Sequence, residues 1–110
     1  MLEKHGAERR TLDAGEPVFF EHQIGAEMFA VVRGRVDILT YGKVLENVGP
    51  GGIFGEMALL ENTQRAAAAL AAEPTEVAVI PRDLFLTLVR EEPAFALHVM
   101  RVLAHRLRRK

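Results

Sequence analysis

Residues 51–69 read Gly-Gly-Ile-Phe-Gly-Glu-Met-Ala-Leu-Leu-Glu-Asn-Thr-Gln-Arg-Ala-Ala-Ala-Ala, a set of residue types suited to holding a small anion. Glycine lets backbone approach a guest closely, and the start of a helix leaves N–H groups that favour negative charge. Arg65 adds a planar guanidinium fork matched to phosphate oxygens, and the alanines after it leave room for a bulky guest. The carboxylate of Glu56 repels phosphate, so it must face hydrogen-bond donors such as ribose hydroxyls. One anion clamp and one hydroxyl acceptor together describe a nucleotide. Taken singly, Glu56 also reads as a first-turn acid complementing a helix dipole, Arg65 as a solvated strand residue and the glycines as ordinary turns. Their joint spacing favours the ligand reading.

The elements that must position this stretch are short β-favouring runs before it and helical runs after it. Residues 18–20, 28–32, 35–40 and 44–48 favour strands, and glycine-bearing breaks at Gly15, Gly25, Gly34, Gly42 and residues 49–52 separate them. Turn signals at this spacing predict an antiparallel sandwich or barrel. Val36, Ile38 and Thr40 alternate with Arg35 and Asp37, so one face is buried and the other wet. A jelly-roll sandwich satisfies both signals. Residues 75–80 read as a last strand between Pro74 and Pro81, and residues 1–10 as a weakly patterned, frayed helical turn.

From Arg82 the period becomes helical. Leu84, Phe85, Leu88 and Val89 share one face, and Glu91-Glu92-Pro93 ends that helix and starts another. In the second helix Phe95, Val99, Val102 and Leu103 form an apolar stripe, with His98, Arg101, His105 and Arg108 opposite. Arg106 lies seven residues beyond Val99 and prolongs the apolar stripe, so it needs a partner or a ligand.

A chain of 110 residues supports one domain over 1–110, with a β-roll at about 11–80 and helices at about 82–109. Cysteine is absent, which excludes a disulfide framework, a thiolate nucleophile and a Cys-based metal site. No apolar stretch approaches the ~20 residues that span a bilayer, and residues 1–4 lack a signal-peptide pattern, so the expected location is cytoplasmic. A net charge of −1 argues against a protein-wide attraction to nucleic acid or lipid. The basic end, Arg101 to Lys110, reads as cations complementing a helix dipole, with nucleic-acid binding as the minor alternative.

Residues 54–60, Phe-Gly-Glu-Met-Ala-Leu-Leu, followed by Arg65-Ala66-Ala67 nine positions after Glu56, resemble the phosphate-binding cassette of the cyclic-nucleotide-binding domain family. That family includes catabolite-activator-type regulators, kinase regulatory subunits and nucleotide-gated channels. The likeness extends over nearly the whole chain and departs from the pattern at Gln64, where proline is common, and Ala68, where Thr or Ser is frequent. It implies a mainly β fold, an antiparallel jelly-roll sandwich with a short cassette helix and two C-terminal α-helices. It also implies a strand at about residues 65–72, although a run holding six alanines and one leucine has helical propensity.

The implied function is a sensor or regulatory module for a cyclic nucleotide. Arg65 would take the cyclic phosphate, and Glu56 with the Gly55 backbone the ribose 2′-hydroxyl and phosphate. Phe54, Met57, Ala58, Ala66 and Ala67 would complete the ligand contacts, with Val31 or Val32 against the base or in the core. Arg106 would cap the base by stacking, as in some channel-type members, or serve the helix end by meeting its dipole or a surface carboxylate. cAMP is favoured over cGMP, because cGMP-preferring members often carry Thr or Ser after the arginine, where this chain has Ala66. Ligand occupancy would move the C-terminal helices about a hinge near residues 91–93. A downstream protein or a fused effector would receive the signal; no direct DNA contact and no membrane span are expected, and the oligomeric state stays open.

The residues also bear on two other classes. A cupin-type enzyme needs clustered His and carboxylate ligands, whereas His5, His22, His98 and His105 form no His-x-His pair, so neither catalysis nor a metal or cofactor is expected. A degenerate interaction domain that binds no ligand has no evident use for both Glu56 and Arg65.

Overall fold

The computed structural model describes residues 5–61 and 64–108. Residues 1–4 of the expected frayed turn, Asn62 and Thr63 of the cassette, and Arg109 and Lys110 of the basic end lie outside the described residues. In chain order the elements are β1 (Glu8–Leu12), β2 (Pro17–Phe19), β3 (Glu27–Arg33), β4 (Val36–Thr40), β5 (Lys43–Val48), β6 (Ile53–Phe54), α1 (Glu56–Glu61), β7 (Ala68–Ala71), β8 (Thr75–Pro81), α2 (Arg82–Glu91) and α3 (Pro93–Arg108). Two four-stranded sheets, ordered β1-β8-β3-β6 and β2-β7-β4-β5, pack face to face, and their paired strands run antiparallel.

The period-two pattern explains how the layers stack. On β3, Phe29 and Val31 point between the sheets with Phe19, Val36, Val48, Phe54 and Val77. Met28 and Ala30 point the other way, against Leu59, Phe85, Leu88, Phe95 and Val99 of the three helices. The β1-β8-β3-β6 sheet is thus covered on both faces, which is why its strands β3 and β8 read as nearly continuous apolar runs. Val31 lies in the inter-sheet core and the half-buried Val32 packs on the helical side, so both take the core reading.

Two expectations change. Glu8–Arg10, expected in a frayed helical turn, are strand, because β1 has a complete antiparallel register with β8 from Glu8 opposite Val79 to Leu12 opposite Thr75. Val89, expected on the buried face of α2, is exposed, while Phe85 and Leu88 carry that face. The alanine run does form a strand, shortened to Ala68–Ala71, since β7 finds backbone partners in both β2 and β4. Ala69 and Ala71 are buried among the larger core side chains. Tertiary pairing here outweighs intrinsic helix propensity.

Glu92 closes α2 by donating its N–H to the Leu88 carbonyl at 2.7 Å, and Pro93 opens α3 directly after it. The Phe85 and Phe95 rings meet edge to face with their centroids 5.9 Å apart, joining the two helices across that corner. Arg101, His105 and Arg108 are exposed on α3. Among the described residues no helix is long and apolar enough to cross a membrane.

Thr75 anchors the start of β8. Its buried hydroxyl accepts the Arg35 N–H at 3.2 Å and donates to the Glu73 carbonyl at 2.7 Å. Thr75→Val keeps the shape but strands those groups, and should cost about 1–3 kcal/mol in urea unfolding with an unchanged m-value. A midpoint equal to the parent's would show that these bonds contribute nothing net.

Candidate functional site

Arg65 stands just before β7, held by backbone bonds to the β2–β3 connection: its N–H donates to Gln23 O at 2.7 Å and its carbonyl accepts from His22 N at 2.8 Å. The side chain turns inward and is only 4% exposed. Nη1 donates to Gly55 O at 2.8 Å and Nη2 to Glu27 O at 2.7 Å. The guanidinium carbon lies 4.2 Å from the centroid of the Phe19 ring and 5.7 Å from that of Phe29. Nε is buried and has no hydrogen-bond partner among the described residues. Burial draws the Arg65 pKa below its ordinary value and the nearby Glu27 carboxylate opposes that shift. A guanidinium has five N–H groups, so two bonds to carbonyls leave donors available to an anion.

Two glycines shape the sleeve around this guanidinium. A Cβ on Gly25 would lie 2.3 Å from Arg65 Nε and 2.5 Å from its central carbon. Gly55 has φ +82°, and a Cβ there would meet Arg65 Nη1 at 3.0 Å. Gly55 also makes the turn that lets α1 begin at Glu56. The carbonyl that receives Arg65 therefore belongs to the residue directly before Glu56, which brings the anion clamp and the carboxylate together.

Glu56 is 3% exposed and its Oε1 contacts Nη1 of Arg106. The other edge of Arg106 grips Glu46 on β5, with Nε to Oε1 at 2.9 Å and Nη2 to Oε2 at 3.0 Å. Nη2 also donates to the Ile53 carbonyl at 2.7 Å. One guanidinium near the end of α3 thus joins β5, β6 and α1. Buried charges persist only when paired and hydrogen-bonded, and this bidentate fork meets that requirement. Arg106 prolongs the apolar stripe of α3 and turns inward, where it meets carboxylates on the sheet and on α1. A cleft of about 390 Å³ opens beside it, between α3 and the β5–β6 loop, lined by Glu46, Ile53, His98, Arg101, His105 and Arg106 among others.

The remaining expected contacts divide by direction. The Phe54 ring stacks on Phe29 at 5.3 Å inside the inter-sheet core, and the Ala58 side chain is buried, so packing claims both side chains and only their backbones can face a guest. Met57 and Ala66 are exposed and Ala67 is half-buried. Sequence reasoning missed Phe19, Gly25, Glu27 and Glu46. Gly25 carried a visible signal as a turn glycine, but its contact with Arg65 joins chain positions forty apart. Among the described residues no group of three His, Cys, Asp or Glu side chains is placed to share a metal ion.

A family model for the cyclic nucleotide-binding domain matches residues 9–92. The chain is 35% identical over 106 residues to the cyclic AMP receptor protein of Thermus thermophilus, covering 92% of this chain and 49% of that protein. It is 35% identical over 77 residues to the cGMP-dependent protein kinase, isozyme 1, of Drosophila melanogaster, covering 69% of this chain and 10% of that one. Among solved structures it is similar to the Thermus thermophilus catabolite activator protein, with a TM-score of 0.82, 35% identity, and coverage of 94% of this chain and 51% of that chain. The chain thus spans about half or less of the length of these relatives.

Gly25→Ala should crowd the Arg65 guanidinium and cost about 1–3 kcal/mol in urea unfolding. Gly49→Ala, where an added Cβ meets nothing within 4 Å, serves as the control and should stay within about 0.5 kcal/mol of the parent. Equal midpoints for the two variants would show that the sleeve is not tight.

Proposed function

The chain belongs to the cyclic nucleotide-binding domain family, and on that premise we propose that it is a cAMP sensor module in which Arg65 takes the cyclic phosphate and Glu56 a ribose hydroxyl. The observation that carries this reading is the buried Arg65 guanidinium, anchored on the Gly55 carbonyl beside Glu56 with its Nε lacking a partner among the described residues. Its two carbonyl anchors fix the fork without neutralising it, so a phosphate can add to the remaining N–H groups. The Gly55 backbone, Met57, Ala66 and Ala67 would complete the ligand contacts, with the backbones of Phe54 and Ala58. Ala66 has no hydroxyl to offer guanine, which supports cAMP over cGMP.

Occupancy would be transmitted through α2 and α3, which meet at Glu92 and Pro93. The module would act in the cytoplasm on a downstream protein or a fused effector, without catalysis and without touching DNA. A second reading, an interaction domain of the same fold that binds no ligand, draws on the fact that Glu56 is already paired within the chain.

Calorimetric titration with cAMP separates the two. Arg65→Ala should weaken binding by about 2–5 kcal/mol, with retention of fold checked by circular dichroism because the side chain is buried. Parent-like affinity in a folded Arg65→Ala protein would overturn the assignment, and no binding by the parent would favour the second reading. Glu56→Gln should lose less than Arg65→Ala, since an amide oxygen still accepts one hydroxyl bond. In competition cGMP should displace cAMP only weakly, and Ala66→Thr should narrow the gap. Tighter binding of cGMP by the parent would reverse the stated preference.

A further inference from the structure

Glu46 lies on β5, ten residues before Glu56, and both carboxylates share the Arg106 guanidinium. We propose that Arg106 competes with the ribose 2′-hydroxyl for Glu56, and that Glu46 is the positioning residue that holds Arg106 back and keeps Glu56 available. This inference rests on the ligand reading given above and concerns how that same site is regulated.

Three observations carry it. First, Glu56 is 3% exposed and its enclosed Oε1 faces Nη1 of Arg106, so a hydroxyl gains room at that oxygen by displacing the guanidinium edge. Second, Arg106 does not have to leave the protein when this happens. Nε and Nη2 remain on Glu46 at 2.9 and 3.0 Å, and Nη2 also on the Ile53 carbonyl at 2.7 Å. Third, the group sits near the C-terminal end of α3, and Arg106 itself joins α3 to β5, β6 and α1. A hydroxyl arriving at Glu56 shifts Arg106 toward Glu46 and loosens the tie between α3 and α1. Two carboxylates sharing one cation make this exchange possible, because either can hold the charge alone.

The sign of each substitution follows. Glu46→Gln removes the second carboxylate, so the Arg106 charge falls on Glu56 and the 2′-hydroxyl contributes less. Arg106→Met removes the competitor, so the hydroxyl contributes more. The readout is the ratio of 2′-deoxy-cAMP to cAMP dissociation constants, measured by calorimetry, because a merely structural role would move both ligands together. A single hydrogen bond gives about a three- to tenfold change. Glu46→Gln should lower the ratio by about that factor and Arg106→Met should raise it by about the same. The double variant should match Arg106→Met. Glu46→Gln leaves the Arg106–Glu56 pair intact, so it decides the matter if Arg106→Met does not fold.

An unchanged ratio in Glu46→Gln, or a lowered ratio in Arg106→Met, overturns the competition while leaving Arg65-dependent cAMP binding standing. Loss of cAMP binding in the parent itself would overturn both readings.

Discussion

A guanidinium taken out of water needs hydrogen-bond partners and apolar surface, and Arg65 draws two carbonyls, a ring face and the room it occupies from four separate parts of the chain while Nε keeps no partner among the described residues. The carbonyl of Gly55 comes from the turn into α1 and that of Glu27 from the start of β3. The Phe19 ring beneath it comes from β2, and Gly25 supplies the space on the side where a methyl group would collide. The backbone around Arg65 is in turn paired with His22 and Gln23, and Gln64 bridges Ile24. The cassette, the β2–β3 connection and β3 therefore meet at one charge, and moving the turn at Gly55 or the start of β3 takes one carbonyl partner from it.

Arg106 solves the same problem in the opposite way. Arg65 is anchored by neutral carbonyls and aromatic faces, so its positive charge remains available to an anion. Arg106 is set between two carboxylates, which match its charge from within the chain. A phosphate would be repelled from the second group and drawn to the first, whereas a hydroxyl donor suits the second. In the proposed reading the two arginines would divide the chemistry of a nucleotide between them, because one keeps its charge and the other gives it up to its neighbours.

Much of this was legible from spacing alone. β-favouring runs marked most of the strands, with alternation visible on β4, the glycine breaks marked their ends, and the Gly55, Glu56 and Arg65 spacing marked the candidate site. The stripe on α3 turned Arg106 inward, but nothing local to residue 106 could name Glu46 or Glu56 as its partners, since those lie sixty and fifty positions earlier. Phe54 shows the converse difficulty. Its place beside Gly55 suggested a ligand contact, yet a two-residue strand facing Phe29 puts the ring in the core. The alanines of β7 were ambiguous for a physical reason: small side chains favour a helix when isolated and fit equally well where a strand must pass close under larger neighbours.

The doubly covered sheet gives the two ends of the site a common floor. Phe29 lies under Arg65 and stacks on Phe54, while the adjacent Met28 and Ala30 reach through the other face to Leu59 of α1 and to Phe95 and Val99 of α3. Close-packed side chains have little room to absorb a shift, so displacement of α1 must be taken up by its neighbours in that layer. Arg106 adds a polar tie at the far end of α3, where packing weakens to the half-buried Val102 and Leu103. Apolar contact holds the first turns of α3, and charge holds the last ones. On the proposed exchange, the last turns would consequently be the part of the helix that a change at Glu56 releases while Phe95 and Val99 keep the first turns in place.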